Sequence, residues 1–440
     1  MPRDLNKKNI LVFVPSDDYL IRELSSVNFL NQIKKDFNVK FLFSQKLNNK
    51  IISNYGIVKK NNFLRVILWN FSQALAANIF KRNYLTKDLH YTIYQFNMNI
   101  TKNKLFKFIN FFTFVRLNNI FIFFSKFFLK LTTKTQNLDS CKVIILFGGH
   151  SYLDIHDLIV EANKKKIKSI LVMSNWDNAT KPLFVKPSLV LTWGLQTSKL
   201  AKKLNRVNAI PIGTPRFDYI KKFKKISQER AKRILNLSNK FKYIIYAGKI
   251  IPSNDYKLLN EIDKYLKKNY ANFKVIYRPH PFGIYQININ EFNTFKLINK
   301  WQNIIIDPTL KIFDKKDFTQ YFYLFSCSDA LISSFSTLTV EAINYNIPVL
   351  CFAINDLLYE KRFDYENGCK LSPHLKILNK YNWPLKAFGY DDFFLKLELL
   401  LKKINNKNYD KKVSDMIFKK IVYNDNMSYY QRVAKVINSL

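Results

Sequence analysis

The sequence contains few acidic residues and few glycines. Its 440 residues include 32 Asp and Glu against 71 Lys and Arg, which gives a formal net charge of +39, and only 9 glycines. Neither GxxxxGK(S/T) nor GxGxxG occurs, which disfavours a P-loop site and a nicotinamide or flavin site. The chain also has no Asp-x-Asp pair and no cluster of metal ligands. We therefore expect no required metal and no cofactor apart from the substrate.

Cysteine and signal-peptide features are also sparse. The four cysteines sit in or near apolar runs without the spacing of a disulfide framework or a metal site, which is typical of a reduced cytosolic protein. Before Pro15, only residues 10–14 form an apolar run, and this run is too short for the core of a signal peptide. We therefore expect a cytoplasmic protein.

The positive charge indicates an anionic partner. Nucleic acid, an anionic membrane surface and a phosphorylated substrate all fit its sign. Arginine, the usual reader of bases, is scarce, and no zinc-finger, ribonucleoprotein or leucine-zipper pattern occurs, so a nucleic-acid partner is disfavoured.

The length suits two domains of roughly 200 residues each. Short apolar runs alternate with helical patterns, which predicts two doubly wound parallel sheets. We place an N-terminal acceptor domain at residues 1–220 and a C-terminal nucleotide-donor domain at residues 221–440. The pattern near residues 422–437 predicts a last helix that crosses back to the first domain.

Residues 63–133 form a basic aromatic insertion in the first domain. No acidic residue occurs between Asp88 and Asp139, and Arg116 and Lys126 keep every apolar run below the roughly 20 residues of a bilayer span. This composition fits helices that lie on an anionic membrane surface. The alternative is that the phenylalanines form core. The flanking lysines are Lys102, Lys104, Lys107, Lys126 and Lys130.

Residues 328–352 read as a strand, a turn, a helix and a second strand. Ser336 is a favourable N-cap, and hydroxyls and free backbone N–H groups at a helix N-terminus attract phosphate. Glu341 lies four residues after Thr337, on the same helical face and within reach of a ribose. The alternative is a capped helix with an ordinary exposed glutamate. The candidate donor residues of this turn are Ser333, Ser334, Ser336, Thr337 and Glu341.

Two further strand ends in the second domain carry polar residues. Gly248 and Lys249 follow the strand at residues 241–246. Arg278 and His280 end the strand in YRPHP, where the flanking prolines fix an imidazole and a guanidinium. A structural histidine is the alternative, but the serine-rich turn about 50 residues on favours a catalytic His280.

The first domain offers two candidate bases. His150 follows the strand at residues 143–147, and Asp177 follows the strand at residues 170–173 within the segment SNWDNATKP. Polar residues at the carboxyl end of a parallel strand lie where open sheets bind ligands. For Asp177 the alternative is a turn with a packing tryptophan.

The segments YRPHP and SDALISSFSTLTVEAINYNIPVL resemble the bacterial CDP-glycerol glycerophosphotransferases and related surface-carbohydrate glycosyltransferases, and NWDNATKP, TWG and GTPRFD are similar to a subset of the latter. The resemblance covers residues 143–352. It implies a GT-B fold, with two Rossmann-like domains that face a central cleft. It also implies donor-phosphate contacts from Arg278, His280, Ser334, Ser336 and Thr337, and a ribose contact from Glu341. The base of that family lies in a His-Gly pair, whereas this chain has Gly149-His150.

We therefore predict a metal-independent glycosyltransferase, peripheral on the inner face of the plasma membrane. It would move a sugar from a nucleotide-diphosphate donor to a surface-polysaccharide or lipid-linked acceptor. Polyol-phosphate transfer, nucleotide-sugar epimerisation and a non-catalytic membrane scaffold remain as alternatives.

Overall fold

A computed structural model describes the protein over the following residues: 7–15, 18–45, 55–69, 72, 118–133, 137–148, 152–223, 226–248, 253–279, 301–309, 318–358, 364–406 and 410–440. The chain divides into two compact units. The first comprises residues 1–218, 372–374 and 419–440, and the second comprises residues 219–371 and 375–418.

The first unit contains a seven-stranded sheet in the order β3-β2-β1-β4-β5-β6-β7, in which all neighbours are parallel. Its central strands are continuous apolar runs, as in sheets that helices cover on both faces. All six residues of β4, for example, are buried. The strands are β1 (Asn9–Val14), β2 (Asn38–Phe43), β3 (Tyr55–Ile57), β4 (Val143–Gly148), β5 (Lys168–Met173), β6 (Leu189–Thr192) and β7 (Ala209–Pro211).

Helices connect these strands. The pattern of residues 19–35 predicts one helix, but the structure has two, because Asn28 adopts a left-handed φ of 56° that interrupts the helical hydrogen bonds. A 3₁₀ helix, Trp176–Thr180, follows β5. The α-helices are α1 (Asp18–Ser26), α2 (Phe29–Asp36), α3 (Asn118–Leu131), α4 (Leu153–Lys164), α5 (Leu195–Asn205) and α6 (Pro215–Phe223).

The second unit contains a six-stranded parallel sheet in the order β10-β9-β8-β11-β12-β13. Its strands are β8 (Lys242–Ala247), β9 (Phe273–Arg278), β10 (Ile304–Ile306), β11 (Ala330–Ser334), β12 (Val349–Ala353) and β13 (Leu385–Phe388). A 3₁₀ helix, Asn355–Leu357, follows β12. The α-helices from this part of the sequence are α7 (Gln228–Ile234), α8 (Asp255–Asn269), α9 (Phe318–Cys327), α10 (Thr337–Asn344), α11 (Tyr365–Leu371), α12 (Lys376–Asn379), α13 (Tyr390–Asn405) and α14 (Lys411–Ile421).

Residues 419–440, which we call the C-terminal segment, belong to the first unit and end in α15 (Tyr429–Asn438). Val433 and Ile437 are fully buried in the core of that unit. Gly194 is required by close approach, because a Cβ there would lie 2.2 Å from a backbone carbonyl oxygen of this segment. Gly194 of the TWG segment therefore packs directly against the backbone of the C-terminal segment.

The GTPRFD segment anchors α15. Asp218 accepts a hydrogen bond from Arg432 at 2.9 Å and another from the backbone N–H of Tyr429. Arg216 forms a buried ion pair with Glu23 at 2.5 Å. These side chains are therefore committed to packing within the first unit.

Both sheets have the doubly wound arrangement, in which the strand order reverses once near the middle. The predicted α/β fold class with two Rossmann-like units is confirmed.

Candidate functional site

The strand order of the second sheet reverses between β8 and β11. Open α/β sheets bind ligands outside the carboxyl ends of the strands at such a point. Ala247 of β8 is in register with Ser333 of β11 and with Arg278 of β9. Three of the predicted donor segments therefore end at one edge of the sheet, on adjacent strands.

The turn after β11 contains hydroxyls with different surroundings. Ser333 is fully buried, donates to the carbonyl of Ser334 at 2.7 Å and lies 3.3 Å from the hydroxyl of Thr339. Its hydroxyl is therefore occupied by the fold. Ser334 is buried, and Thr337 is half-buried at the first helical position.

Ser336 occupies the N-cap position of α10, as predicted, with an extended backbone. Its side chain accepts no hydrogen bond from the helix, and within the described ranges its Oγ is buried without any hydrogen-bond partner. A buried hydroxyl without a partner is costly. The expected cap is therefore absent, and the hydroxyl is available to a bound group.

The N-terminus of α10 favours an anion. The first N–H groups of a helix have no partner within the helix, and its dipole places partial positive charge there. The first turn of α10 carries no acidic residue that would offset this charge. The positive end of the helix thus lies next to Ser336, which is the combination that binds phosphate groups.

Arg278 is paired within the unit. Its guanidinium forms an ion pair with Asp307, whose side chain is fully buried, and donates to the hydroxyl of Thr309 at 3.2 Å. Asp307 also accepts from the backbone N–H of Thr309 at 2.8 Å. These contacts fix the direction of the guanidinium at the carboxyl end of β9 and balance its charge.

Glu341 is buried, with 1% of its surface exposed. The alternative of an ordinary exposed glutamate is therefore wrong. The predicted ribose contact would require the ribose to approach a buried carboxylate. Its neighbour Tyr345 has a raised pKa, chiefly because of burial and secondly because of Glu341.

The backbone N–H of Gly248 donates to the carbonyl of Arg278 at 2.8 Å, and this hydrogen bond links the ends of β8 and β9. Lys249, His280 and His150 lie outside the described residues. Their predicted roles therefore stay predictions, as does the absence of a required metal.

The buried cysteines of the second unit, Cys351 in β12 and Cys327 at the end of α9, are not nucleophiles at neutral pH. Burial raises the pKa of Cys351 to about 11 and that of Cys327 to about 12. Both thiols stay protonated, and the thiolate is the reactive form.

Asp177 lies after β5 on the carboxyl edge of the first sheet, in the 3₁₀ helix Trp176–Thr180. It forms an ion pair with Lys181 at 2.8 Å and is one-third exposed. Its position at the strand end suits a ligand contact.

A histidine that the sequence analysis overlooked lies in the first unit near Asp177. The ring of His374 makes an edge contact with Trp176, with centroids 5.1 Å apart, and its Nδ1 is 3.1 Å from the hydroxyl of Ser372. Gln196 accepts from Trp176 at 3.1 Å and donates to the carbonyl of His374 at 2.7 Å. Trp176 and Ser372 thus contact the imidazole, and Gln196 fixes both Trp176 and the backbone of His374. No local sequence pattern marks it, because SPHL lies about 200 residues from Trp176.

The described part of the aromatic insertion has two faces. On α3, Ser125 and Leu129 are buried, and Leu129 packs with Trp69 and Leu153. The opposite face is between 51% and 67% exposed, and we call it the aromatic surface. It consists of Phe123, Phe124, Phe127, Phe128 and Leu131.

The lysines of the insertion differ in their surroundings. Lys126 lies 5.4 Å from the ring of Phe184, and its pKa is lowered by desolvation and by nearby Lys186. Lys130 is exposed, and Lys102, Lys104 and Lys107 are outside the described residues. None of the helices that the structure describes combines the length and hydrophobicity that a bilayer span requires.

The architecture is of the GT-B type, as the similarity to solved structures shows. The wall teichoic acid polymerase TagF has a TM-score of 0.51 at 11% identity, over 98% of this chain and 89% of that chain. MnaA from S. aureus, in a co-structure with UDP, has a TM-score of 0.54 at 11% identity, over 98% and 96%. The UDP-GlcNAc 2-epimerase from Methanocaldococcus jannaschii has a TM-score of 0.51 at 9% identity, over 98% and 100%. At these identities the similarity concerns the fold alone.

Residues 195–374 match the family described as CDP-Glycerol:Poly(glycerophosphate) glycerophosphotransferase. The match contains β8, β9, β11 and α10, and thus all the described candidate donor residues. The relationship predicted from the sequence is confirmed for this segment, and it supports transferase activity. No curated protein matches the sequence significantly.

Proposed function

We propose that this protein transfers a sugar from a nucleotide-diphosphate donor to a surface-polysaccharide or lipid-linked acceptor. The observation that carries this proposal is the N-terminus of α10. Its first turn carries no acidic residue, and it lies beside the buried hydroxyl of Ser336, which has no hydrogen-bond partner among the residues that the structure describes. This place lies at the switch point of the second sheet and within the segment related to transferases that use CDP-glycerol.

The chemistry of this site would be stabilisation of the leaving group. As the bond between sugar and phosphate breaks, negative charge develops on the diphosphate. Fixed donors at the N-terminus of α10, together with Ser336 and Thr337, would meet that charge without reorganisation. Arg278 would add a guanidinium whose direction Asp307 fixes. Lys249 and His280 are expected to complete this set, in place of a divalent cation.

The acceptor hydroxyl needs a base. His150 and Asp177 were the candidates from the sequence, and the geometry adds His374. If His374 is the base, His374→Ala should lower kcat by about 100-fold or more, while nucleotide binding stays unchanged. If His374 is only structural, the variant should be less stable, and the protein that remains folded should keep a near-normal kcat.

Nucleotide binding is the first test. A ligand that binds only the folded state protects it by an amount set by its concentration relative to Kd. We expect UDP, CDP or GDP to slow hydrogen exchange in residues 330–345, and Ser336→Ala with Thr337→Ala to remove that protection. If no nucleotide diphosphate protects this segment at millimolar concentration, the proposal fails.

Product analysis separates the enzymatic alternatives. Polyol-phosphate transfer is the second candidate, because the family match names CDP-glycerol. It predicts release of CMP from CDP-glycerol, whereas sugar transfer predicts release of a nucleoside diphosphate. Epimerisation would change the sugar without an acceptor, and a scaffold would bind without turnover. Full activity in EDTA is expected, because the predicted site uses no metal.

We further propose that the protein lies on an anionic membrane through the aromatic surface, on the cytoplasmic side. Exposed phenylalanines enter the interfacial region, and nearby lysines attract anionic headgroups. Phe123→Gln with Phe127→Gln should weaken binding to phosphatidylglycerol vesicles about 10-fold. The matched control is Leu395→Gln with Leu399→Gln, which removes two exposed apolar side chains of the second unit. Equal losses in the two variants would contradict the proposal.

A further inference from the structure

A cavity of about 300 Å³ opens in the first unit at the carboxyl ends of β2 and β3. Ser44 directly follows β2, and Lys59, Lys60 and Asn61 follow β3. The first turn of α4, which carries Asp154, forms another wall. We call this the β2–β3 pocket. It lies on the edge of the sheet where ligands of open α/β folds bind, and none of its residues was a predicted site residue.

The carboxylate of Asp154 is held in one orientation. The hydroxyl of Ser44 donates to it at 2.6 Å, and the side-chain amide of Asn61 donates at 3.2 Å. Its place in the first turn of α4 also favours the ionised form. A fixed, half-buried carboxylate is a ready acceptor for a ligand hydroxyl.

Asn61 is in turn held by a buried charged cluster. Arg65 donates to Asn61 at 2.5 Å and makes two hydrogen bonds of 2.6 and 2.7 Å to Asp157. His156 lies 3.2 Å from Asp157, and its ring packs on Trp69. A buried ion cluster of this kind often adds no more stability than apolar residues of similar volume would. The cluster contacts the pocket through the hydrogen bond from Arg65 to Asn61, and this bond fixes the side chain that donates to Asp154.

The rim of the pocket carries positive charge. Lys59 and Lys60 are both exposed, and an ammonium group is a strong donor to phosphate. Lysines beside an oriented carboxylate match a molecule that combines a phosphate with free hydroxyls. This chemistry is that of a polyol phosphate or a sugar phosphate.

One wall of the pocket continues into exposed apolar surface. Val66 lines the pocket, and Phe63 and Leu64, three and two residues earlier in the sequence, are 75% and 74% exposed. Leu153, also in the lining, packs with Leu129 of α3, whose other face is the aromatic surface. A ligand with its polar end in the pocket would thus have apolar side chains beside it.

We propose that the β2–β3 pocket binds the phosphate-bearing, hydroxylated end of the acceptor, and that the acceptor is an amphiphile whose apolar part lies along Phe63, Leu64 and the aromatic surface. This inference rests on the proposed transferase function and specifies its acceptor. Ser44 follows β2 and Asp177 follows β5, three strands further along the sheet, or about 14 Å at the usual strand spacing. The bound phosphate would therefore lie away from the reacting hydroxyl.

The first experiment compares two double variants of equal charge. Lys59→Gln with Lys60→Gln removes the rim charge. Lys202→Gln with Lys203→Gln removes two exposed lysines from the last turn of α5, which lies toward the opposite edge of the same sheet. Binding is measured to phosphatidylcholine vesicles with 20 mol% phosphatidic acid. We expect the rim variant to lose affinity about 10-fold or more and the control less than about 2-fold. Equal losses would show that only net charge matters and would overturn the proposal.

A second arm distinguishes a lipid from a soluble phosphate ester. Glycerol 3-phosphate should compete with the vesicles for the wild type and not for the rim variant, while glycerol should not compete. If glycerol 3-phosphate binds but its addition leaves vesicle binding unchanged, the pocket binds a soluble ligand. The proposal that the acceptor is an amphiphile is then wrong. Asp154→Asn should abolish the preference for glycerol 3-phosphate over methyl phosphate. A wild type that shows no such preference would refute the role of Asp154.

A third measurement keeps this proposal separate from the donor site. Protection of residues 330–345 by a nucleotide diphosphate should be the same in the rim variant and the wild type. If no nucleotide protects the wild type, the transferase proposal fails, while the vesicle and competition results still decide whether the pocket binds phosphate esters.

Discussion

Replacing Ser336 by alanine tests whether the hydroxyl serves the ligand or the helix. A serine that caps a helix contributes about 1 kcal/mol through its bond to a backbone N–H. Ser336 makes no such bond, and its buried Oγ has no partner among the described residues. Removing it should therefore cost the free protein nothing, and relief of an unsatisfied group could stabilise α10 by up to about 1 kcal/mol.

Ser227 provides the matched control within the second unit. It occupies the N-cap of α7, and its Oγ accepts from the N–H of Arg230 at 3.3 Å. Ser227→Ala should lower the protection of α7 about 5-fold, which corresponds to about 1 kcal/mol. Ser336→Ala should leave the protection of α10 unchanged or raise it.

Hydrogen exchange followed by mass spectrometry suits this comparison, since it reports the opening of each helix separately. A protein with two compact units need not unfold in one step, so a single unfolding free energy would mix the two units. The second measurement adds the nucleotide. In Ser336→Ala the apparent affinity for the nucleotide, measured from its protection of residues 330–345, should fall about 5- to 10-fold. A 5-fold loss of protection in the free Ser336→Ala protein would mean that the hydroxyl caps the helix, and the reasoning would be refuted.

Three further predictions concern the two units. Gly194→Ala should destabilise the docking of α15 by about 2 kcal/mol or more, seen as faster exchange in residues 429–438, whereas Gly368→Ala, with open space around its Cβ, should be neutral; equal behaviour would contradict the close approach. Asp307→Asn should lower the stability of the second unit by about 1–3 kcal/mol, seen as faster hydrogen exchange in β9 and β10, because it removes the charge that balances Arg278, and unchanged exchange there would argue against that pair. His280→Ala should cut turnover about 100-fold in a well-folded protein, with partial recovery in His280→Gln if the role is hydrogen bonding; near-normal turnover would remove His280 from catalysis.

Much of the framework was accessible from the sequence because buried parallel strands need continuous apolar runs. The strand, turn, helix and strand predicted for residues 328–352 correspond to β11, α10 and β12. The pattern of residues 411–421 predicts a helix, and α14 has these bounds. By contrast, β13 was missed, because its four residues alternate between buried and half-buried and lie just after Pro384.

The individual roles of site residues were less accessible, because they depend on contacts between distant parts of the chain. The spacing around Ser336 indicated a cap, but only the structure shows that its hydroxyl makes no hydrogen bond to the helix N–H groups. Arg278 was placed correctly at a strand end, while its partner Asp307 lies 29 residues away. His374 contacts Trp176, and the β2–β3 pocket brings together residues near 44, 60 and 154. These segments are far apart in the sequence, and no hydrophobic periodicity indicates that they meet.

The aromatic insertion shows a similar limit. Composition left membrane surface and core as alternatives for its phenylalanines. In α3, Leu129 lies inward and the aromatic surface lies outward. Hydrophobicity alone does not separate these faces, because the exposed phenylalanines are as apolar as the buried Leu129.

The discontinuity of the first unit has a consequence for synthesis on the ribosome. Asp218 and Gly194 are made before the segment that covers them, residues 419–440. At about 5–20 residues per second, the roughly 200 intervening residues take about 10–40 s to translate. During that time the surface that later receives Val433 and Ile437 stays open to water, to chaperones and to other nascent chains. The second unit, residues 219–371 and 375–418, is made before that segment, so it can fold before the first unit has closed its own core.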